Sequence, residues 1–305
     1  MKLIISEQNE GERIDTYLAE IIPAISRSKI QKIIKEGKCS INNSTKIKPS
    51  QTLKLGDNVE FDDSVKDEKI VIPAENIPLE IIWEDENMAV INKPSCMITH
   101  PTSIETSGSL VNALLFKYGE NLSNINGDMR PGIVHRLDRN TSGLIMIAKN
   151  NKTHEFLVNE MKEKKFCKKY LAIVKGVIEK DEFSIDKPIG RHLTQPHKMA
   201  IEGKDAKESL TLVKVLERLK EATLVELTLI TGRTHQIRVH LASIGHPVYN
   251  DTLYGFGKIK IKTDEQVLQA YKLEFTKPFT KERISLEIEP DSKIKKVLGA
   301  LKEKL

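Results

Sequence analysis

The stretch GIVHRLDRNTSGLIMIAKN, residues 132–150, sets a polar loop between two apolar runs. Ile133 and Val134 lead into the loop and residues 144–148 lead out of it, while Thr141, Ser142 and Gly143 supply turn chemistry that fixes a backbone. The loop is therefore short and tethered at both ends. Its carboxylate, Asp138, is a candidate nucleophile or base held in position. Taken alone, an aspartate beside Arg136 and Arg139 is better read as an ion pair on a surface turn.

Outward from this loop the chain reads as short strands with a few helices. LEIIWEDENMAVINKP, residues 79–94, is a strand, a polar turn and a strand. KKYLAIVKG (168–176) and TLVELTLI (223–230) alternate as half-buried strands do, the second placing Val225, Leu227 and Leu229 on one face. Tyr170 shares a face with Ala172 and Val174, which by itself describes a core tyrosine. In LITGRTHQIRVHLASIGHPVYND (229–251), Thr234 is placed to cap a helix whose buried stripe is Ile237, Leu241 and Ile244. Arg238 sits beside that stripe, where it reaches a sheltered pocket or covers Leu241 with its methylenes. Strands and helices mixed without regular alternation indicate an α+β domain with a mixed, largely antiparallel sheet.

The first segment differs. Ile14, Leu18 and Ile21 fall at helical spacing, and a second helix follows with Ser26 as its cap, an Ile25–Ile30 staple, a stripe of Ile30, Ile33 and Ile34, and Gly37 as its stop. Short strands then run to Phe61. Residues 24–56 carry eight basic side chains (Arg27, Lys29, Lys32, Lys35, Lys38, Lys46, Lys48 and Lys54) against one acid, Glu36. A polyphosphate attracts a field of that sign, although such a run also suits a solvated face. The charged, proline-containing stretch DDSVKDEKIVIPAENIP (62–78) has no helical period and reads as a connection. The division expected is 1–62, a linker at 63–78, and 79–305.

Over 305 residues, lysine plus arginine exceed aspartate plus glutamate by 48 − 43 = +5, and 39% of residues are hydrophobic, ample for a buried core. No apolar run is long enough to span a membrane and the first residues lack a signal peptide's apolar segment, so a cytoplasmic protein with no membrane partner is expected. Cys39, Cys96 and Cys167 lie far apart and predict reduced, mostly structural thiols. His192/His197 and His235/His240 are five apart, which misses a helical zinc spacing, and no phosphate-binding glycine motif occurs. No metal and no cofactor are expected, and His135 and His235 read as hydrogen-bonding supports.

HRLDRNTSG closely resembles the central motif of the RluA family of pseudouridine synthases. The resemblance implies that Asp138 is catalytic and that Arg136 helps displace the target nucleotide from its helix. KKYLAIVKG resembles the family's tyrosine-bearing strand, which implies that Tyr170 packs against the target base; help with proton removal from ring carbon five is a further expectation for the mechanism. LITGRTHQIRVHLASIGHPVYND resembles a further family segment, which implies that Arg238 pairs with the catalytic carboxylate. NKPSCMITH resembles the first motif with Cys96 where a glycine usually stands, and LQAYKLEFTKP the last with Gln269 for a customary histidine.

The basic first segment resembles the small alpha-L RNA-binding module of a ribosomal small-subunit protein, which implies RNA contacts from Arg27, Lys29, Lys32, Lys35 and Lys38. Together the resemblances imply an isomerase of structured RNA, RluD-like, acting by base flipping on large-subunit ribosomal RNA, with transfer RNA as the other candidate, and with the aspartate attacking either the sugar or the uracil. A monomer suffices for that chemistry. The competing readings are a non-catalytic RNA-binding or ribosome-assembly protein and, more distantly, a metal-dependent RNA hydrolase.

Overall fold

Two sets of apolar residues, one before Asp62 and one after Val71, collapse onto separate cores in the computed structural model. The structure describes the chain apart from residues 23, 24, 26, 63–70, 103, 256–260, 262, 264 and 303–305, and the side chain of Ser28. The chain divides into Met1–Val71 and Ile72–Leu305. The cap expected at Ser26 lies outside the described residues, as does the 63–70 part of the connection.

The first unit contains β1 (Lys2–Ile4), α1 (Ile14–Ile21), α2 (Arg27–Lys35), β2 (Cys39–Ile41) and β3 (Asn58–Phe61). Its antiparallel sheet has the order β1-β3-β2. Ile30, Ile33 and Ile34 are buried as their spacing predicts, and Ile25 packs in the same core as Ile30. Ile21, expected on the buried stripe of α1, is instead 47% exposed. It stands at the last position of its helix, and the larger ring of Tyr17 fills the core beside Ile14 and Leu18. Fully buried Asp15 accepts hydrogen bonds from Arg13 Nε at 3.0 Å, Arg27 Nη2 at 3.1 Å and Gln31 Nε2 at 2.5 Å. Burial alone would raise its pKa, but these donors outweigh it and hold the carboxyl down at about 2.

The second unit contains β4 (Glu80–Glu84), β5 (Met88–Lys93), α3 (Leu110–Tyr118), β6 (Ser142–Ala148), α4 (Asn151–Lys162), β7 (Cys167–Lys175), β8 (Glu182–Asp186), β9 (Ile189–Arg191), β10 (Met199–Ile201) and β11 (Lys204–Lys207). It continues with β12 (Leu210–Arg218), β13 (Ala222–Leu229), α5 (Gln236–Ser243), β14 (Leu268–Thr276), β15 (Arg283–Glu287) and α6 (Ser292–Lys302). Nine of these strands form one sheet, in the order β4-β5-β6-β14-β7-β13-β12-β8, with β15 also paired to β14. Its pairs are antiparallel except β14 with β6, which run parallel at the middle of the sheet. The fold is thus α+β with a mixed, largely antiparallel sheet. Every residue of β6 is buried, and such a strand reads as a continuous apolar run.

Two glycines bracket the loop before β6. Gly143, at φ 114°, lies so close to β14 that a Cβ would stand 2.1 Å from the Ala270 carbonyl oxygen. Gly132, at φ 74°, would bring a Cβ within 2.8 Å of Leu122 Cδ2. At both positions the backbone conformation and the space demand the same residue.

The helix expected after residue 234 is present, but Thr234 does not cap it. His235 occupies the cap position in a left-handed conformation with no side-chain cap bond. The loop is instead tied by the buried Gln236 amide, whose Oε1 accepts from the Arg233 N–H and from Thr231 Oγ1, both at 2.9 Å. Residues 236–241 are buried all round, so this short helix has no solvent face for Arg238 to straddle.

Candidate active site

The loop carrying Asp138 is held by its carbonyls. Lys93, fully buried, donates from Nζ to the carbonyl oxygens of Pro94 (2.7 Å), Met97 (2.8 Å) and Arg139 (3.1 Å). Burial and the charge of Lys293 depress this ammonium to about 7. Thr99 Oγ1 donates to the Leu137 carbonyl at 2.8 Å, Ser95 Oγ to that of Asn140 at 3.0 Å, and the Leu137 side chain is buried in the core. The stretch 93–99 therefore acts as a cradle for 137–140. Arg139 turns away to pair with Glu105, so no neighbouring arginine neutralises Asp138. The surface ion pair that local sequence favours does not form.

The partner is Arg238, one hundred residues on, whose Nη1 donates to Asp138 Oδ2 at 3.1 Å. Its other edge is held by fully buried Asp251, with Nε donating to Oδ2 at 2.7 Å and Nη2 to Oδ1 at 2.9 Å. Asp251 Oδ1 also accepts the N–H groups of Leu253 and Tyr254, at 2.9 and 3.0 Å. Burial opposes both charges, yet the bidentate bonds hold the Asp251 carboxyl low and, with Asp138, the Arg238 guanidinium high. One guanidinium faces two carboxylates, so the group keeps a net negative charge. Tyr254 closes the outer side, its ring 5.1 Å from the guanidinium carbon and its hydroxyl 2.7 Å from His235 Nδ1. His235 Nε2 lies 3.9 Å from Asp138 Oδ2, and burial keeps its imidazole pKa below the ordinary value.

Asp138, Arg238 and Tyr170 line one cavity of about 580 Å³, together with exposed Arg136, His135, Lys168 and the loop 230–235. The structure thus brings together three side chains drawn from β7, the pre-β6 loop and α5. Burial, and then the charge of Asp138, push the Tyr170 phenol above its ordinary range. Cys96 sits at φ 66°, the conformation a glycine would take freely, with Sγ 2.7 Å from Glu265 Oε1. Gln269 Nε2 donates to the Glu289 carbonyl and its Oε1 accepts from the Asp291 N–H, joining β14 to the start of α6. Among the described residues there is no cluster of His, Cys, Asp or Glu able to hold a metal ion, and no helix is long and apolar enough to cross a membrane.

A family model described as RNA pseudouridylate synthase matches residues 87–243, which hold every residue lining this cavity except Leu268, and an S4 domain model matches residues 12–59. An RNA pseudouridine synthase of Aquifex aeolicus, described as uncharacterized, is 43% identical over 97% of this chain and 96% of its own length. The chain belongs to the RNA pseudouridylate synthase family.

Other members include the ribosomal large subunit pseudouridine synthase D of Vibrio cholerae, 35% identical over 98% of this chain and 94% of its own. The solved human RNA pseudouridylate synthase domain containing 1 superposes with a TM-score of 0.56 at 26% identity, covering 75% of this chain and 97% of that one. As a pseudouridine synthase with an RNA-binding S4 domain, the chain is an isomerase acting on RNA. The supports of the pseudouridine synthase site, buried Lys93, Thr99 and Asp251 and partly buried Tyr254, are not marked by any pattern in the sequence. Asp251 closes the same motif as Arg238, but nothing in spacing links an acid to an arginine thirteen residues earlier across a turn.

In the S4 domain the basic residues are not equivalent. Arg27 is committed to buried Asp15, while Lys32 and Lys38 lie 3.8 and 3.9 Å from Glu36.

Proposed function

We propose that the enzyme converts specific uridines of large-subunit ribosomal RNA to pseudouridine, with Asp138 attacking an extruded nucleotide. The observation that carries this reading is Asp138 lining a cavity with its charge supported at 3.1 Å by an arginine that Asp251 fixes from behind. The bond from ribose C1′ to uracil N1 breaks, the base turns, and C1′ joins C5. The proton leaves C5 and N1 gains one, so reactant and product are isomers and no redox partner or energy source is consumed.

A guanidinium that is charged at all physiological pH is suited to holding a carboxylate ionised in a sheltered site. Asp138 attacks either the sugar carbon or the uracil ring, and Tyr170 packs against the base. Uracil within a helix leaves no room for this chemistry, and flipping it out costs a few kcal/mol. Arg136, exposed at the cavity wall, fills the vacated space, and Lys29, Lys32, Lys35 and Lys38 of the S4 domain hold phosphates. The ribosomal substrate follows from the names of relatives such as that of Vibrio cholerae.

The test is pseudouridine mapping in ribosomal RNA from cells lacking the gene, restored with the wild-type chain or with Asp138→Asn. The variant is expected to bind RNA and leave the missing sites as uridine. Restoration of those sites by Asp138→Asn would refute the assignment, and an unchanged map after deletion would refute the ribosomal substrate.

A further inference from the structure

Among the described residues, the half-buried Lys168 of the cavity has no partner. Lys168 lines the same wall as Tyr170, two residues along β7 and so on the same face, roughly 7 Å away by strand geometry. The adjacent Lys169, on the opposite face, is paired with Glu226 at 2.9 Å. Lys168 makes no ion pair or hydrogen bond with any described residue, although it is half-buried. Its ammonium reaches toward the loop 230–235, where a Cβ built on Gly232 would meet Nζ at 3.9 Å. Burial lowers its pKa without any opposing carboxylate, so the free protein bears an uncompensated desolvation cost.

His135 stands beside this charge. Its Nε2 accepts the Met146 N–H at 3.0 Å, and burial, with the charge of Lys168, holds the imidazole at about 3, so it is neutral. A neutral ring that accepts at Nε2 carries its proton on Nδ1, a donor with no acceptor among the described residues. Exposed Lys162 and Lys164 also line the cavity. Arg238 of the same cavity is already held by two carboxylates, Asp138 and Asp251, and so is not free to pair with a further anion.

We propose that Lys168, with the Nδ1–H of His135, forms a phosphate-binding subsite for the backbone of the extruded nucleotide while its base lies against Tyr170. The inference rests on the pseudouridine synthase reading of the cavity. A phosphate supplies the missing counter-charge, and the gain from pairing a desolvated ammonium is realised only when the nucleotide is out of its helix. Lys168 is then a specificity-determining contact for the flipped state.

The experiment compares Lys168→Met and Lys168→Arg with the intact lysine, in the full chain carrying Asp138→Asn, by binding a ribosomal RNA hairpin over a range of salt. Loss of one phosphate contact in Lys168→Met lowers the slope of log affinity against log salt by about 0.7–0.9 and weakens binding roughly tenfold. Lys168→Arg keeps the slope, and Lys180→Met, on an exposed surface outside the cavity, leaves it unchanged. Lys168→Met also melts no lower than its parent, since it removes an unpaired buried charge. With Asp138 intact, it raises KM more than it lowers kcat.

An unchanged slope in Lys168→Met, as expected if the ammonium touched only a uracil carbonyl, overturns the proposal. So does an equal fall in Lys180→Met, or a melting point lowered by several degrees. Failure of the protein with both Asp138 and Lys168 intact to form pseudouridine would instead count against the underlying reading of the cavity.

Discussion

Arg238 satisfies two acids at once, but the two bonds differ in kind. That to Asp251 is bidentate and buried, whereas that to Asp138 is a single donor at the edge of an open cavity. The first orients the guanidinium and the second uses the orientation. Asp251→Asn keeps the shape and loses the charge-assisted fork, so the guanidinium is free to tilt. Because about 1 Å of misplacement costs on the order of 10²-fold, kcat of Asp251→Asn is expected to fall about 10–100-fold with KM little changed. Steady-state kinetics on a modified-site RNA checks this; a kcat within twofold of wild type would mean that Asp138 needs no such backing. The same residue scale explains why local sequence misleads here. The arginines nearest Asp138 in the chain are taken by Glu105 or left exposed, and the arginine that matters is one hundred positions away.

Between β6 and β14 a different constraint operates. The parallel pair places the start of β6 against Ala270, and only a residue without Cβ fits at Gly143. Gly143→Ala must part the two strands beside the Asp138 loop. A destabilisation above about 4 kcal/mol, at the extreme of single substitutions, is expected in urea unfolding. A loss below 1 kcal/mol would show that the strands yield easily.

In the first unit the tie between α1 and α2 is Asp15. Its carboxyl is held at about 2 against an ordinary 3.8, so its stabilisation is present above the ordinary value and is lost as pH falls through about 2. That difference corresponds to about 2 kcal/mol. Urea titrations followed by NMR at Ile14, Leu18 and Ile33 are expected to show the loss between pH 5 and 2, and Asp15→Asn to abolish that pH dependence. An equally acid-sensitive Asp15→Asn variant would place the effect elsewhere. Element boundaries near these sites were legible from periodicity, since Ile30, Ile33 and Ile34 are buried as spaced. The cap of α5 was not: the bond expected from Thr234 is replaced by one from Gln236, because the loop turns through a left-handed His235 before α5 begins.

At the scale of the molecule, the core of the first unit draws only on residues from Leu3 to Phe61, and that around the cavity draws on residues from Ile72 onward. A chain beginning at Ile72 is therefore expected to fold, judged by a cooperative melt. It should keep Asp138-dependent pseudouridine formation while binding RNA more weakly and with a shallower salt dependence, having lost Lys29, Lys32, Lys35 and Lys38. A shortened chain that does not fold would refute the independence of the two cores. The α+β class and the basic first module were readable from the amino-acid sequence, and its motifs singled out Asp138, Tyr170 and Arg238, which line one cavity, because alternation, helical spacing and motif residues are local properties of a chain. What only the tertiary structure decided is which charges meet. Lys93 under the loop, Asp251 behind Arg238 and Lys168 without a partner among the described residues are ordinary lysines and an ordinary aspartate in the linear text. Burial and distance give each its role, and both are set by how strands far apart in sequence come to lie in one sheet.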